Sequence, residues 1–246
     1  MNLHDKLEIE HCWTTPIGKI HIYLPDEIRQ TLIMILTKQV NYTTSESYDQ
    51  INKVIDVMPL IYNLFDYSEK NQTENYKVSL DLNEDEIKCL KEFEKISSKI
   101  IRTYINKAWD FDEDVEIKVR CFGNVQKTGA RTYPHYHQDI NGVLVHYLKM
   151  GDEDKDLAEQ LYVDREKSPR HGTHTVIFQD PRPAISYPYW EKIHAIVPRI
   201  GLTIIHPNYL WHETNPWLGK GTRVCIVVNF RIVSHGYNEL LKPLKG

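Results

Sequence analysis

Two segments of the chain carry side chains whose types and spacing suit a metal ion. The first runs Thr132-Tyr-Pro-His-Tyr-His-Gln-Asp139, and the second runs His206-Pro-Asn-Tyr-Leu-Trp-His212. Residues two apart in an extended segment point to the same side, so His135, His137 and Asp139 are expected to share a face. Imidazoles and a carboxylate are costly to bury on an interior face without a partner, and a divalent metal is the simplest partner. The first segment therefore predicts two metal ligands, and a third must come from elsewhere.

His212 is the candidate for the third ligand, because it follows a predicted strand and a short turn. The other two ligands are either His137 and Asp139 or His135 and His137, and spacing alone leaves both sets open. Two imidazoles and one carboxylate on one face of a metal leave positions free for a co-substrate and dioxygen, a pattern typical of non-haem Fe(II) oxygenases. His206, at the end of the predicted strand, is interpreted as a strand cap.

An arginine follows at a position that suggests an anionic partner. Arg223 lies eleven residues after His212, in the apolar run Thr222-Arg-Val-Cys-Ile-Val-Val-Asn-Phe230. A guanidinium group binds a carboxylate through two parallel hydrogen bonds. Arg223 is therefore predicted to hold the far end of a dicarboxylate co-substrate.

A further pair of histidines has spacing like that of metal ligands. His171 and His174 occur in Arg170-His-Gly-Thr-His174, within a polar connection. We interpret both as surface residues rather than ligands.

Composition restricts the classes of partner. The net charge of −4 gives no general attraction to nucleic acid or to an anionic membrane, and no apolar run approaches the length of a membrane span. The four cysteines are widely spaced and form no Cys-x-x-Cys pair, which argues against a structural zinc site or a disulfide framework. We expect a cytoplasmic protein.

The N-terminal half reads mainly as helices. A short strand is predicted within residues 11–24, and Pro25-Asp26 opens a helix. Residues 41–82 are polar, with loops and one short helix expected around Asp49–Phe65. Asn83-Glu-Asp-Glu86 is a capping box that leads into a long amphipathic helix.

From residue 115 the hydrophobic period changes to two, as expected for strands. The predicted strands are Val115–Cys121, Gly142–Met150, Thr173–Gln179, Gly201–His206 and Thr222–Val233. Strands without alternating helices indicate an antiparallel sandwich or jelly roll. We predict one α+β domain over 1–246, with a mainly helical layer at 1–114 and a β core at 115–235.

These motifs resemble the Fe(II)/2-oxoglutarate-dependent oxygenases, and most closely a group of 2OG-Fe(II) oxygenases related to the prolyl hydroxylases. The segments that carry the resemblance are Thr15-Pro-Ile-Gly18, Phe122-Gly-Asn-Val-Gln-Lys-Thr-Gly129, His135-Tyr-His137 with Gly142–Leu148, Phe178-Gln-Asp-Pro-Arg182, Gly201–His212 and Arg223–Phe230. Phe122 stands where that group has Trp, and Cys225 stands where it has Ser.

The resemblance implies a double-stranded β-helix core that binds Fe(II) and 2-oxoglutarate. It implies that Arg223 pairs with the distal carboxylate of 2-oxoglutarate, with Cys225 beside it. Among the two open ligand sets we choose His137, Asp139 and His212, because this set restores the carboxylate of the wider superfamily. Halogenating members lack that carboxylate, so its presence favours hydroxylation of a C–H bond with release of succinate and CO2. No catalytic residue is expected beyond the metal centre.

The substrate is not readable from the sequence. The candidates for contact with substrate or with the metal ligands are His135, Tyr133, Arg182, Trp211 and Trp217. A small amino-acid-like metabolite and a peptide side chain both fit, and a homodimer is left open. The layer at 1–114 and the polar loop at 151–172 are candidates for a lid, because long loops beside a rigid sheet often carry specificity.

Two other classes compete with this interpretation. A cupin-type metalloenzyme would share the metal ligands without using 2-oxoglutarate, and it would not need Arg223. A non-catalytic β-sandwich with a chance histidine cluster would need neither the metal nor the co-substrate.

Overall fold

Two antiparallel sheets and two helices make up the part of the chain that the structure describes. This computed structural model describes residues 7–12, 15–43, 60–66, 82–111, 115–152, 174–182 and 192–233. The elements are β1 (Glu8–Cys12), β2 (Thr15–His21), α1 (Asp26–Thr43), β3 (Leu60–Asp66), α2 (Glu84–Trp109), β4 (Glu116–Gln126), β5 (Gly142–Met150), β6 (Val176–Gln179), β7 (Ile193–Ile196), β8 (Leu202–Pro207), β9 (His212–Thr214) and β10 (Arg223–Val233). No helix among these residues is long and apolar enough to cross a membrane.

The larger sheet has seven strands in the order β1-β2-β8-β5-β10-β4-β3, and the smaller has three in the order β7-β6-β9. All their pairings are antiparallel. Strands β4 and β10 pair over eleven residues, from Arg223 opposite Gln126 to Val233 opposite Glu116. This long ladder fixes where the first residue of β10 lies.

Helix α2 begins at the predicted capping box. The Asn83 side chain accepts a hydrogen bond from the Glu86 main-chain N–H, and the Glu86 carboxylate accepts one from the Asn83 N–H, both at 2.9 Å. The same carboxylate pairs with Lys38 of α1 at 2.7 Å. This ion pair links the N-terminus of α2 to helix α1.

Both helices pack on one face of the larger sheet. The core there combines apolar side chains of α1, of α2 and of strands β4, β5, β8 and β10, among them Leu32, Leu36, Leu90, Phe93, Ile101, Cys121, Val125, Leu144, Ile205, Ile226 and Val228. The Tyr104 hydroxyl of α2 donates a hydrogen bond to the Pro16 carbonyl of β2 at 2.9 Å. The helices therefore hold the back of the sheet and leave its other face for the smaller sheet.

A second core lies between the two sheets. It contains Ile17, Val143, Tyr147, Ile204, Cys225 and Val227 from the larger sheet, and Val176, Phe178 and Ile196 from the smaller. Alternate residues of a strand face opposite sides, so β8 and β10 each contribute to both cores. Every candidate site residue of these two strands faces the second core.

The structure differs from the sequence expectations at several short elements. Residues 60–66 form β3 rather than the end of a helix, and residues 49–59 lie outside the described part. Strands β7 and β9 have four and three residues, too few to show a period. Strands β1, β2 and β3 join the larger sheet, so the segment 1–114 supplies sheet as well as helix.

Candidate metal centre

Three histidines gather at one end of the space between the sheets. One ligand nitrogen from each of His135, His137 and His212 lies within 4.8 Å of the other two. The ring centres of His135 and His212 are 4.3 Å apart, and those of His137 and His212 are 5.3 Å apart with the rings nearly parallel. The three donors are close enough together to bind a single ion.

The main chain brings the two segments together. His135 and His212 form an isolated antiparallel bridge, in which each N–H donates to the other's carbonyl, at 3.0 and 2.9 Å. The His137 N–H donates to the Asn208 carbonyl at 3.0 Å, and the Asn208 side chain donates back to the His137 carbonyl at 3.1 Å. The positions of all three ligands thus depend on contacts between segments distant in sequence.

Hydrogen bonds to carbonyl groups orient two of the rings. The Nδ1 of His135 lies 2.8 Å from the Tyr133 carbonyl oxygen, and the Nδ1 of His212 lies 2.9 Å from the Leu210 carbonyl oxygen. A carbonyl only accepts, so each Nδ1 carries a proton and each Nε2 keeps a lone pair for a metal. The Nε2 of His137 is buried, and it has no hydrogen-bond partner among the described residues.

Burial keeps the His137 and His212 rings neutral near pH 7. Burial, together with the nearby His206 and His135, lowers the pKa of the His137 imidazole from 6.5 to about 3. Burial also lowers the pKa of His212 well below 6.5. Neutral imidazoles near pH 7 are the form that coordinates metals.

Asp139 lies outside this group, so the expected ligand set of His137, Asp139 and His212 stays a prediction. The residues before β5 form bends and irregular chain with one isolated bridge at His135 rather than a strand, and Asp139 adopts a left-handed conformation with φ of 60°. The alternation of sides that put Asp139 with His137 therefore fails. Asp139 is exposed, whereas His135 takes its place beside His137.

A fourth imidazole, that of His206, borders the group, although its position at the end of a predicted strand suggested only a strand cap. His206 is 1% exposed, and its ring centre is 4.6 Å from that of His212. Its Nδ1 lies 2.8 Å from the Pro207 carbonyl oxygen, and its Nε2 is buried without a hydrogen-bond partner among the described residues. His206 follows Leu202 and Ile204 at every second position of the strand, and this alternation in the sequence predicts that its side chain points inward.

Arg223 is buried between the sheets at 2% exposure. Its Nη1 donates a hydrogen bond to the Gln126 side-chain oxygen, and its Nε has no partner among the described residues. The guanidinium carbon lies 5.1 Å from the centre of the Tyr147 ring. Burial raises the pKa of Tyr147 to about 12 despite the nearby arginine, so this phenol stays protonated.

Cys225 lies on the same face of β10 as Arg223 and is fully buried. Burial raises the pKa of its thiol, and the Arg223 charge acts in the opposite direction. The thiol is therefore neutral near pH 7 and adds no negative charge beside the arginine.

Four exposed aromatic residues lie close in sequence to the histidines. Tyr133 precedes His135, Tyr136 stands between His135 and His137, and Tyr209 and Trp211 precede His212; each of the four is at least 40% exposed. The rings of Tyr136 and Trp211 are 5.0 Å apart. Tyr133 and Trp211 are thus sequence neighbours of the histidines, and their role as substrate candidates stays a prediction.

The other predicted site residues, Arg182 and Trp217, contact residues outside the histidine group. The Arg182 guanidinium pairs with the Asp180 carboxylate at 2.8 and 3.0 Å. Trp217 is buried at 3% and packs against His174, their ring centres 4.9 Å apart. His174 is itself buried at 3%, which corrects the expectation of a surface residue, and His171 lies outside the described residues.

Comparison with known proteins agrees with this site. Residues 120–229 match the family described as "Putative 2OG-Fe(II) oxygenase", a segment that contains the three histidines, Gln126 and Arg223. The resemblance noted in the sequence is thereby confirmed, and Fe(II) and 2-oxoglutarate are the cofactor and co-substrate of that family. None of the curated proteins matches the chain.

Several solved structures align with most of the chain. A prolyl-4-hydroxylase from Pseudomonas putida is 13% identical, with a TM-score of 0.52 over 89% of this chain and 94% of that one. A Trichoplax adhaerens prolyl hydroxylase, solved with a hypoxia-inducible-factor peptide, is 11% identical, with a TM-score of 0.49 over 88% and 83%. A viral collagen prolyl hydroxylase from Paramecium bursaria Chlorella virus-1 is 14% identical, with a TM-score of 0.45 over 89% and 96%.

Proposed function

We propose that the protein is an Fe(II)/2-oxoglutarate-dependent dioxygenase that hydroxylates a C–H bond of a small metabolite or amino-acid-like substrate. Succinate and CO2 are the co-products. The observation that carries the proposal is the combination of three converging imidazole donors with a buried, unneutralised arginine in the same interior. The two sheets are interpreted as the double-stranded β-helix of that enzyme class.

The donor set fits a divalent metal. His135 and His212 keep their Nε2 lone pairs free, and the buried Nε2 of His137 gains a partner when an ion is bound. Leaving such a nitrogen unpaired costs about 1–3 kcal/mol, which a metal ligand bond offsets. Bound Fe(II) would supply oxygen activation and the anchor for the keto-acid end of the co-substrate.

The remaining residues bind the co-substrate and the substrate and exclude water. Arg223 is assigned to the distal carboxylate of 2-oxoglutarate, because a guanidinium without an ion-pair partner is costly inside a protein. The apolar side chains of the second core exclude water from the space around the metal. The four exposed aromatic side chains, Tyr133, Tyr136, Tyr209 and Trp211, are assigned to substrate contact.

One observation favours a second candidate. Among the described residues the candidate metal group contains three histidines and no carboxylate, so it does not by itself favour hydroxylation in the way that a ligated Asp139 would. A three-histidine site also suits a cupin-type metalloenzyme that does not use 2-oxoglutarate. The buried Arg223 favours the first candidate, since the second gives it no role.

Turnover of 2-oxoglutarate tests the proposal. Protein reconstituted with Fe(II) should convert 2-oxoglutarate to succinate in air, and libraries of metabolites and peptides should contain a compound that gains one oxygen atom. His212→Ala should abolish succinate formation. Iron binding without any 2-oxoglutarate binding or turnover would favour the cupin-type alternative.

The unpaired state of three cysteines supports a reducing compartment. Cys89, Cys121 and Cys225 are buried and form no disulfide. We propose a cytoplasmic protein on this basis.

A further inference from the structure

A neutral side-chain oxygen accepts a hydrogen bond from Arg223. Gln126, the last residue of β4, lies opposite Arg223, the first residue of β10. The Gln126 Oε1 accepts a hydrogen bond from Arg223 Nη1. The two side chains are 0% and 2% exposed, so solvent does not screen the pair. No carboxylate of the described residues forms an ion pair with this guanidinium.

A second hydrogen bond fixes the orientation of the Gln126 amide. Its Nε2 donates to the Thr132 hydroxyl at 3.1 Å, which turns the oxygen toward the arginine. An arginine only donates hydrogen bonds, so the oxygen is the end that it requires.

The same contact joins Gln126 to the metal-binding segments. The Thr132 N–H donates to the Thr214 hydroxyl at 2.9 Å, and the Thr214 N–H donates to the Thr132 carbonyl at 3.0 Å. Thr132 precedes the segment of His135, and Thr214 belongs to the strand that begins at His212. The arginine is therefore held in a defined position relative to the histidines.

We propose that Gln126 positions Arg223 for the distal carboxylate of the co-substrate while leaving its positive charge available. A carboxylate at this position would bind the guanidinium with paired, charge-assisted hydrogen bonds and compete with the co-substrate. An amide orients the group without neutralising it, and the unpartnered Nε remains for an external anion. Gln126 thereby helps to select a dicarboxylate co-substrate. The inference rests on the proposed function.

Binding of an inert co-substrate mimic tests this role. The probe is N-oxalylglycine, added to protein loaded with Mn(II) and followed by calorimetry. Gln126→Glu should bind it about 10- to 100-fold more weakly than the wild type, the size expected for loss of a hydrogen bond to a charged group. Gln126→Met, which removes the acceptor without adding charge, should lose only about 2- to 10-fold.

Two controls separate this effect from a general disturbance. Oxalate chelates a metal but lacks a distal carboxylate, so it should bind the wild type and Gln126→Glu alike. Gln179→Glu makes the same change of charge on β6, at a residue whose neighbour Phe178 faces the core and which itself points outward. It should leave the affinity for N-oxalylglycine unchanged.

Two results with the Gln126 variants would overturn the inference. Equal affinity of Gln126→Glu and Gln126→Met for the mimic would show that the neutral charge of Gln126 does not matter for binding. Wild-type affinity in Gln126→Met would remove the positioning role, and this variant decides the matter if Gln126→Glu loses its fold or metal. A wild-type protein that binds oxalate but not N-oxalylglycine would instead contradict the proposed function.

Discussion

The nitrogen atoms of His135 and His212 are oriented by main-chain carbonyls rather than by acidic side chains. The Tyr133 and Leu210 carbonyls receive the Nδ1 protons, and neither ring depends on a carboxylate for its tautomer. A third donor, His137, comes from the same short segment as His135. At this scale the candidate site is a set of imidazole nitrogens, and the buried Arg223 faces the same interior.

The ligand phase is testable with single substitutions. His135→Ala should abolish stoichiometric Fe(II) binding, because it removes one of three converging donors. Asp139→Ala should keep one bound iron per chain, because this exposed side chain lies outside the group. His206→Phe serves as the control for loss of a buried imidazole beside the site, and it should also keep the metal. Iron content after gel filtration measures all three, and iron lost only from Asp139→Ala would restore the original ligand set.

The sequence identified the histidines that the structure brings together, but it did not separate them from Asp139. The pattern His-x-His-x-Asp gave three candidate ligands on the assumption of an extended chain. The left-handed conformation at Asp139 breaks that alternation, and nothing local marks the position, since neither glycine nor proline occupies it. The bridge between His135 and His212 joins two segments distant in sequence, which no local pattern records.

At the scale of elements, long segments with a strong period were predictable and short ones were not. The bounds of β5 agree residue for residue with the predicted strand, and the capping box starts α2 as expected. Strand β9 has only three residues, yet it begins at His212, a candidate metal ligand. Its conformation is imposed by pairing with β6 rather than by its own sequence.

The capping box gives a prediction for helix α2. Asn83→Ala should lower the free energy of unfolding by about 1 kcal/mol, because it leaves the Glu86 N–H without its side-chain acceptor. Asn83→Gly is the matched control, and it should cost only a few tenths of a kcal/mol because glycine tolerates the cap position. Urea titration of both variants measures the difference. Equal destabilisation by the two substitutions would show that the side-chain bond does not stabilise the helix.

At the scale of the whole molecule, the larger sheet lies between the supporting helices and the candidate site. Its back face is covered by α1 and α2, and its front face, with the smaller sheet, encloses the histidines and Arg223. Both faces are buried, so several histidines are held neutral inside the protein. The N-terminal strands could not be assigned to this sheet from sequence, since their pairing depends on distant partners.

Stability should therefore depend on pH. His146 lies on the back face of β5, hydrogen-bonded to Thr203 at 2.8 Å, and burial lowers its pKa from 6.5 to about 4. Below pH 6.5 the His146 side chain binds a proton in the unfolded chain but stays neutral in the folded protein. The free energy of unfolding therefore decreases as the pH is lowered from 6.5 to about 4. His146→Gln should reduce this loss by up to about 1.4 kcal/mol per pH unit. Urea unfolding of chelator-treated protein at several pH values measures it, and an unchanged pH slope would contradict the assignment.

The most direct measurement is a crystal structure of the protein with Mn(II) and N-oxalylglycine, grown without oxygen. The predicted result is one metal bound by His135, His137 and His212, with the mimic chelating it and its distal carboxylate on Arg223. A metal bound through Asp139, or a mimic whose distal carboxylate lies away from Arg223, would contradict the account.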